Sequence, residues 1–225
     1  MAGYIYETHM HTSEVSKCGA STAAEQIKAY KDRGYAGVIV TDHFVNGHTN
    51  CPQYLSWEDK TSFQQKGYIA AKNAGDCFGL DVFFAWEYPD HGSDFLTYGL
   101  GADFILAHPE IDTMPIGDYC TLVKACGGYV AQAHPYRDEE YVMRQYPISP
   151  KYLDGVEVFN SSLRPALNAK ARAFAERHSL AMQSGSDSHY VILGFESGIR
   201  LQKKAESIHD IVSAIRNGEA ELICK

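Results

Sequence analysis

The chain has 225 residues, 45% of them apolar and 21% charged, which is the composition of an ordinary globular protein and excludes disordered and fibrous classes. Its net charge of −8, with no basic run, argues against a stable nucleic-acid partner, whose phosphates need clustered Lys and Arg. No segment approaches the roughly 18 apolar residues of a membrane span, and the start MAGYIYETHM lacks the basic-then-apolar order of a leader. A cytoplasmic protein with no membrane partner is expected, its six scattered cysteines reduced rather than paired.

Short apolar runs alternate with amphipathic stretches. GYIYETH reads as a strand, and STAAEQIKAYKDRGY as a helix with Thr22 and Glu25 in capping-box spacing and Gly34 as its stop. AGVIVTDH reads as a buried strand, followed by a helix over 58–75 and the apolar run LDVFFAWE. SDFLTYGL is a further strand, IGDYCTLVKACGG a helix, and YVAQAHP and DGVEVFN strands. RPALNAKARAFAERH is a helix, LAMQSGSDSH a strand with its loop, and the tail holds a helix over 206–217 and a short strand AELIC. The alternation implies a parallel sheet with crossovers, doubly wound or closed as a barrel. No linker or fixed-period repeat interrupts it, so a single domain over 1–225 is the economical reading.

Polar residues fall at one end of strand after strand: His9 and His11, Asp42 and His43, Glu87, His134, and Asp187 with His189. His9 and His11 stand two apart, on one face of an extended strand. In parallel α/β folds the strand C-termini converge, and sites are built there. Imidazole with carboxylate suits Zn, Mn or Fe, and no cysteine-rich cluster marks a closed structural zinc site. The donors exceed what one tetrahedral ion takes, so two to three divalent ions are expected, with Glu87 able to bridge.

The set THMH, TDH, WE, AHPYR, GVEVFN and GSDSH, in this order and at these intervals from Tyr4 to His189, resembles the PHP (polymerase and histidinol phosphatase) family. The resemblance implies a distorted (β/α)7 barrel, TIM-barrel-like, with up to three metal ions at the strand C-termini. It places the first ion on His9, His11, Glu87 and Asp187, the second on Glu87 and His134, and the third on His43 and His189. Two positions depart from the family pattern. Asp94 stands where a histidine ligand is common, with His91 as the stand-in under another register. In SEVSKCG, where the family offers Asp or His, Cys18 is the first choice and Glu14 the second.

Arg137 and Arg164 follow strand ends and suit bidentate phosphate contact; the competing reading for each is a surface salt bridge. Asp187 is the carboxylate expected at the reaction centre. The implied activity is a histidinol-phosphatase-like phosphoesterase, hydrolysing a small phosphorylated metabolite by attack of metal-bound hydroxide. A metal-dependent C–N hydrolase, or a non-catalytic metal-stabilised binding module, is the alternative. No lysine lies at an expected strand end to bridge ions, which counts against the C–N reading.

Overall fold

A computed structural model describes residues 3–191 and 197–225. In chain order the elements are β1 (Tyr4–Met10), α1 (Ala23–Asp32), β2 (Gly37–Val40), α2 (Trp57–Gln64), α3 (Lys66–Phe78), β3 (Asp81–Phe84), β4 (Trp86–Asp90), β5 (Ser93–Tyr98), α4 (Ala102–Ala107), α5 (Ile116–Ala125), β6 (Tyr129–Gln132), β7 (Gly155–Asn160), α6 (Pro165–His178), β8 (Ala181–Gly185), β9 (Ser197–Leu201), α7 (Ile208–Arg216) and β10 (Glu221–Cys224). Thr22 caps α1 with both halves of the capping box in place, as the spacing with Glu25 requires. The single helix expected over 58–75 is two helices that meet at Gln65.

The strands form two five-stranded sheets, ordered β10-β9-β1-β2-β3 and β4-β5-β6-β7-β8. Both are mixed. β1, β2 and β3 run parallel, as do β6, β7 and β8, but β9 is antiparallel to β1 and β10, and β5 is antiparallel to β4 and β6. The chain is thus a two-sheet α/β fold and not the expected distorted (β/α)7 barrel, because among the described residues the strands pair as two separate sheets rather than one closed ladder. The run LDVFFAWE breaks at Ala85: β3 ends in the first sheet and β4 opens the second. β4 then returns through His91 and Gly92, both at positive φ, as a hairpin with β5. A hairpin needs no crossover helix, so strand–helix alternation fails here. Isolated bridges Met10–Ser188 and His43–Glu87 join the two sheets at one end.

Side chains from both sheets share one core, with Tyr6 and Ile39 from the first meeting Leu96, Tyr98 and Ala131 from the second. Helix α7 closes it with Ile211, Val212 and Ile215 on one face, each worth about 1.5–3 kcal/mol when fully buried. Helices α1 and α3 cover the first sheet, where Ile27 and Ala71 pack with Val38 and Val82. The outer face of the second sheet is covered from α4, α5 and α6 through Phe104, Tyr119 and Ala171.

Two irregularities aim the strand ends. Register shifts lie between Glu7 and Met10 on β1 and between Glu157 and Phe159 on β7. Bulges of this kind redirect side chains beside functional sites. Behind them the buried Glu7 carboxylate accepts hydrogen bonds from the amides of Thr8, His9 and Ser186 and the hydroxyls of Tyr30 and Ser197, tying β1 to the ends of β8 and β9.

Gly198 on β9 has φ +110° and approaches β1 so closely that a Cβ there would lie 2.2 Å from the Tyr6 carbonyl oxygen. Gly198→Ala is expected to lose about 2–3 kcal/mol or more, read as a lower urea midpoint. An unchanged midpoint would contradict this packing of β9 on β1.

Candidate metal centre

His9 is the last residue but one of β1 and His11 follows that strand; His43 lies beyond β2, Glu87 is second in β4, Asp94 second in β5, His134 lies beyond β6, and Asp187 and His189 beyond β8. Their side chains converge where the two sheets are bridged. His9 Nε2 lies 3.1 Å from both His11 Nε2 and Glu87 Oε1, and 3.4 Å from Asp187 Oδ1. His11 Nε2 is 3.3 Å from the same Asp187 oxygen and 3.4 Å from Glu87 Oε2. His134 Nε2 reaches Glu87 Oε1 at 3.3 Å, and Asp94 Oδ2 is 3.8 Å from it. His43 Nδ1 is 2.8 Å from Glu87 Oε2. The His189 ring stacks on His11 with centroids 4.2 Å apart.

Among the described residues four overlapping triads bring one donor atom each within 4.8 Å of the others: His9, Glu87 and His134; His9, His11 and Asp187; His43, Glu87 and Asp94; His11, His43 and His189. The donor chemistry fits a cation. Glu87 Oε2 is buried against ring nitrogens of His43 and His11, at 2.8 and 3.4 Å, which are themselves metal-donor atoms. His9 Nδ1 faces Glu157 Oε1 at 2.9 Å, so its proton belongs on that side and its Nε2 lone pair points into the cluster. Zn–N bonds of about 2.0–2.1 Å let two such nitrogens, 3.1 Å apart, share an ion. His134 and Asp187 hold this arrangement with φ of +28° and +55°, conformations that non-glycine residues adopt at a cost.

The charges are tightly coupled. Burial opposes charge on Glu87, but His9 and His43 hold its carboxyl well below the usual range. Asp187 is likewise held low against burial, by His9 and Arg137. His9 is raised well above an ordinary histidine, because Glu157, Asp187 and Glu87 outweigh its burial. His11 is driven well below, by burial and by the neighbouring His189 and His43. Asp94 is pushed up to about 6 by burial and the Glu87 charge.

The remaining expected residues fall as follows. Cys18 is exposed at the mouth beside His189 and His43 and belongs to none of the four triads. Burial raises its thiol, but hydrogen bonds with those histidines bring it down to about 7. Glu14 turns away and accepts the Ala23 amide at the start of α1. His91 is exposed on the β4–β5 turn, its Nε2 3.9 Å from Asp90. Arg137 pairs with Asp187 and donates to Ser162 Oγ at 3.2 Å. Arg164, with its side chain 70% exposed, pairs with Asp138.

Two groups that sequence reasoning missed complete the surroundings. Glu157 also accepts the His134 amide at 3.0 Å and the Asn160 side-chain amide at 2.9 Å. Ser16 touches His11, the His43 amide and Asp42 at once. An acidic residue inside the apolar run GVEVFN was the available signal for Glu157; nothing in SEVSKCG marked Ser16.

No protein-family model matches the sequence, and no curated protein matches it. Solved structures do. A two-domain protein from Bacteroides vulgatus containing a predicted PHP-like metal-dependent phosphoesterase superposes with a TM-score of 0.75 at 15% identity over 99% of this chain. The chain spans 65% of that protein's length. A candidate metal-dependent phosphoesterase from Bifidobacterium adolescentis gives 0.56 at 16% identity, covering 93% of this chain and 94% of its own. An amidohydrolase from Chromobacterium violaceum, with bound sulfate and no metal, gives 0.52 at 16% identity over 82% of this chain and 87% of its own. At these identities the likeness is one of fold alone, shared with proteins described as metal-dependent phosphoesterases and with one described as an amidohydrolase.

Proposed function

We propose that the chain is a metal-dependent phosphoesterase acting on a small phosphorylated metabolite. The observation that carries this reading is the convergence of His9, His11, His43, His134, His189, Asp94 and Asp187 around one buried carboxylate, Glu87. Two to three divalent ions, Zn, Mn or Fe, fit this donor set. His9, His11, Glu87 and Asp187 would hold one, Glu87, His134 and Asp94 a second, and His43 with His189 a third, with Cys18 at its open side.

Such ions supply Lewis-acid polarisation of phosphoryl oxygen and a lowered pKa for water. The protein's own groups do the rest. Arg137 stands at the edge of the cluster, where its guanidinium can orient a phosphoryl group through the donors not taken by Asp187 and Ser162. Glu157 keeps the His9 proton on Nδ1. Asn160 bonds Glu157 and so belongs to the frame around the donors. The superposition on an amidohydrolase makes amide hydrolysis the competing reading.

Purified protein is expected to carry two to three ions per chain by elemental analysis, and to release phosphate or p-nitrophenol from phosphoesters with added Mn, Zn or Fe. His9→Ala and Asp187→Ala should abolish turnover. Amide cleavage without phosphate release would favour the C–N hydrolase, and a protein that takes up no metal would sink both. Arg137→Ala should cut kcat/KM for phosphoesters about 10- to 100-fold, the worth of one charge-assisted contact, with metal content measured alongside because Arg137 also holds Asp187. Glu157→Gln should weaken metal binding about 10- to 100-fold in a calorimetric titration; unchanged affinity would remove Glu157 from the site.

A further inference from the structure

His9 and His11 differ in what holds them. His9 Nδ1 meets a carboxylate directly, whereas His11 Nδ1 lies 2.9 Å from the hydroxyl of Ser16, a residue fully buried beneath the cluster. A hydroxyl could point its proton either way, so this contact alone does not decide which His11 nitrogen carries hydrogen. The other two neighbours of Ser16 Oγ decide it.

Asp42 Oδ1 lies 2.7 Å from Ser16 Oγ and is a carboxylate oxygen, which can only accept. It is itself oriented by the Thr12 amide at 2.7 Å, while Thr12 Oγ1 donates to Asp42 Oδ2 at 2.7 Å. The backbone N–H of His43 can only donate, and it reaches Ser16 Oγ at 3.1 Å. Ser16 has one proton and two acceptor positions. The proton goes to Asp42, and His43 fills one acceptor position. The remaining one must receive a proton from His11, whose Nδ1 is then the donor. If the Ser16 proton pointed to His11 instead, two bare oxygens would face each other at 2.7 Å.

We propose that Ser16 is a positioning residue of this centre: its hydroxyl, oriented by Asp42, holds His11 as the Nδ1–H tautomer and so presents the Nε2 lone pair to a divalent ion. The inference rests on the reading of His11 as an ion ligand. It explains why a polar group without ligand chemistry is buried here, and it makes Asp42 act on His11 through a hydroxyl rather than by contact. The same oxygen sets the His43 amide, so one side chain registers both histidines.

The test begins with the unaltered protein. Long-range 1H–15N spectra of histidine-labelled, metal-free protein at pH 8 are expected to show His11 protonated on Nδ1, and an Nε2–H form would overturn the proposal. Ser16→Ala should lose that tautomer preference and bind Mn2+ or Zn2+ about 10- to 100-fold more weakly by calorimetry. Thr12→Val removes a different Asp42 donor and should leave the His11 tautomer as it was. Equal loss in both variants, or none in Ser16→Ala, would refute the role given to Ser16. Should Ser16→Ala fail to fold, the wild-type spectrum still decides the tautomer. A wild-type protein that takes up no metal yet shows Nδ1–H would overturn the phosphoesterase reading and reduce Ser16 to a tautomer anchor.

Discussion

The structure depends on burying charge without leaving it uncompensated. Glu87 is fully buried, as are His9 and His11, and isolated ionised groups in such a position cost several kcal/mol each. The chain meets that cost by making every member a partner of several others. Glu87 faces His9, His43 and His134, while Asp187 faces His9, His11 and Arg137. Each carboxylate stays ionised because histidines surround it, and His9 stays basic because carboxylates surround it. None of these pKa directions belongs to one residue in isolation.

That network dictates where the backbone has to be irregular. The register shifts on β1 and β7 sit beside Glu7, His9 and Glu157, and the positive φ angles of His134 and Asp187 sit at the ends of β6 and β8. Regular strands would alternate these side chains between faces. The irregular ends turn them toward one point instead, and hydrogen bonds such as the Asp187 amide to the His9 carbonyl, at 2.9 Å, hold the turned ends together. Glu7 contributes from behind: burial raises its pKa, and five donors converge on it from β1, α1, β9 and the loop after β8.

What the sequence made legible was periodicity and strand-end chemistry. The capping box at Thr22, the strands of both parallel triplets and the gathering of histidines and acids at strand ends could all be read from local pattern. Closure could not. Whether β3 continues into β4 turns on the break at Ala85, and whether β4 pairs antiparallel turns on a hairpin through His91 and Gly92; an apolar run such as LDVFFAWE carries neither fact. β9 escaped notice because SGIRL is short and half polar. At the centre, residues with ligand chemistry stood out, but Ser16 and Glu157 act through the neighbours that folding gives them. The sequence ranked Cys18 before Glu14 for one slot; in the fold Glu14 caps α1, while Cys18 lies beside two histidines.

The balance of charge also orders what the centre can hold. Glu87 and Asp187 are kept ionised within it, with Glu157 bonded to His9 behind, while Arg137 is the guanidinium that meets the cluster and is paired with Asp187. Under the proposed function, an anionic phosphoryl group entering that field would meet carboxylates first, and like charges a few ångströms apart in a partly buried site repel far more strongly than in water. On that reading, bound cations would reverse the sign of the field where the phosphoryl group sits. On the same reading, binding of the anion would be subordinate to binding of cations, as suits a chain whose net charge is −8.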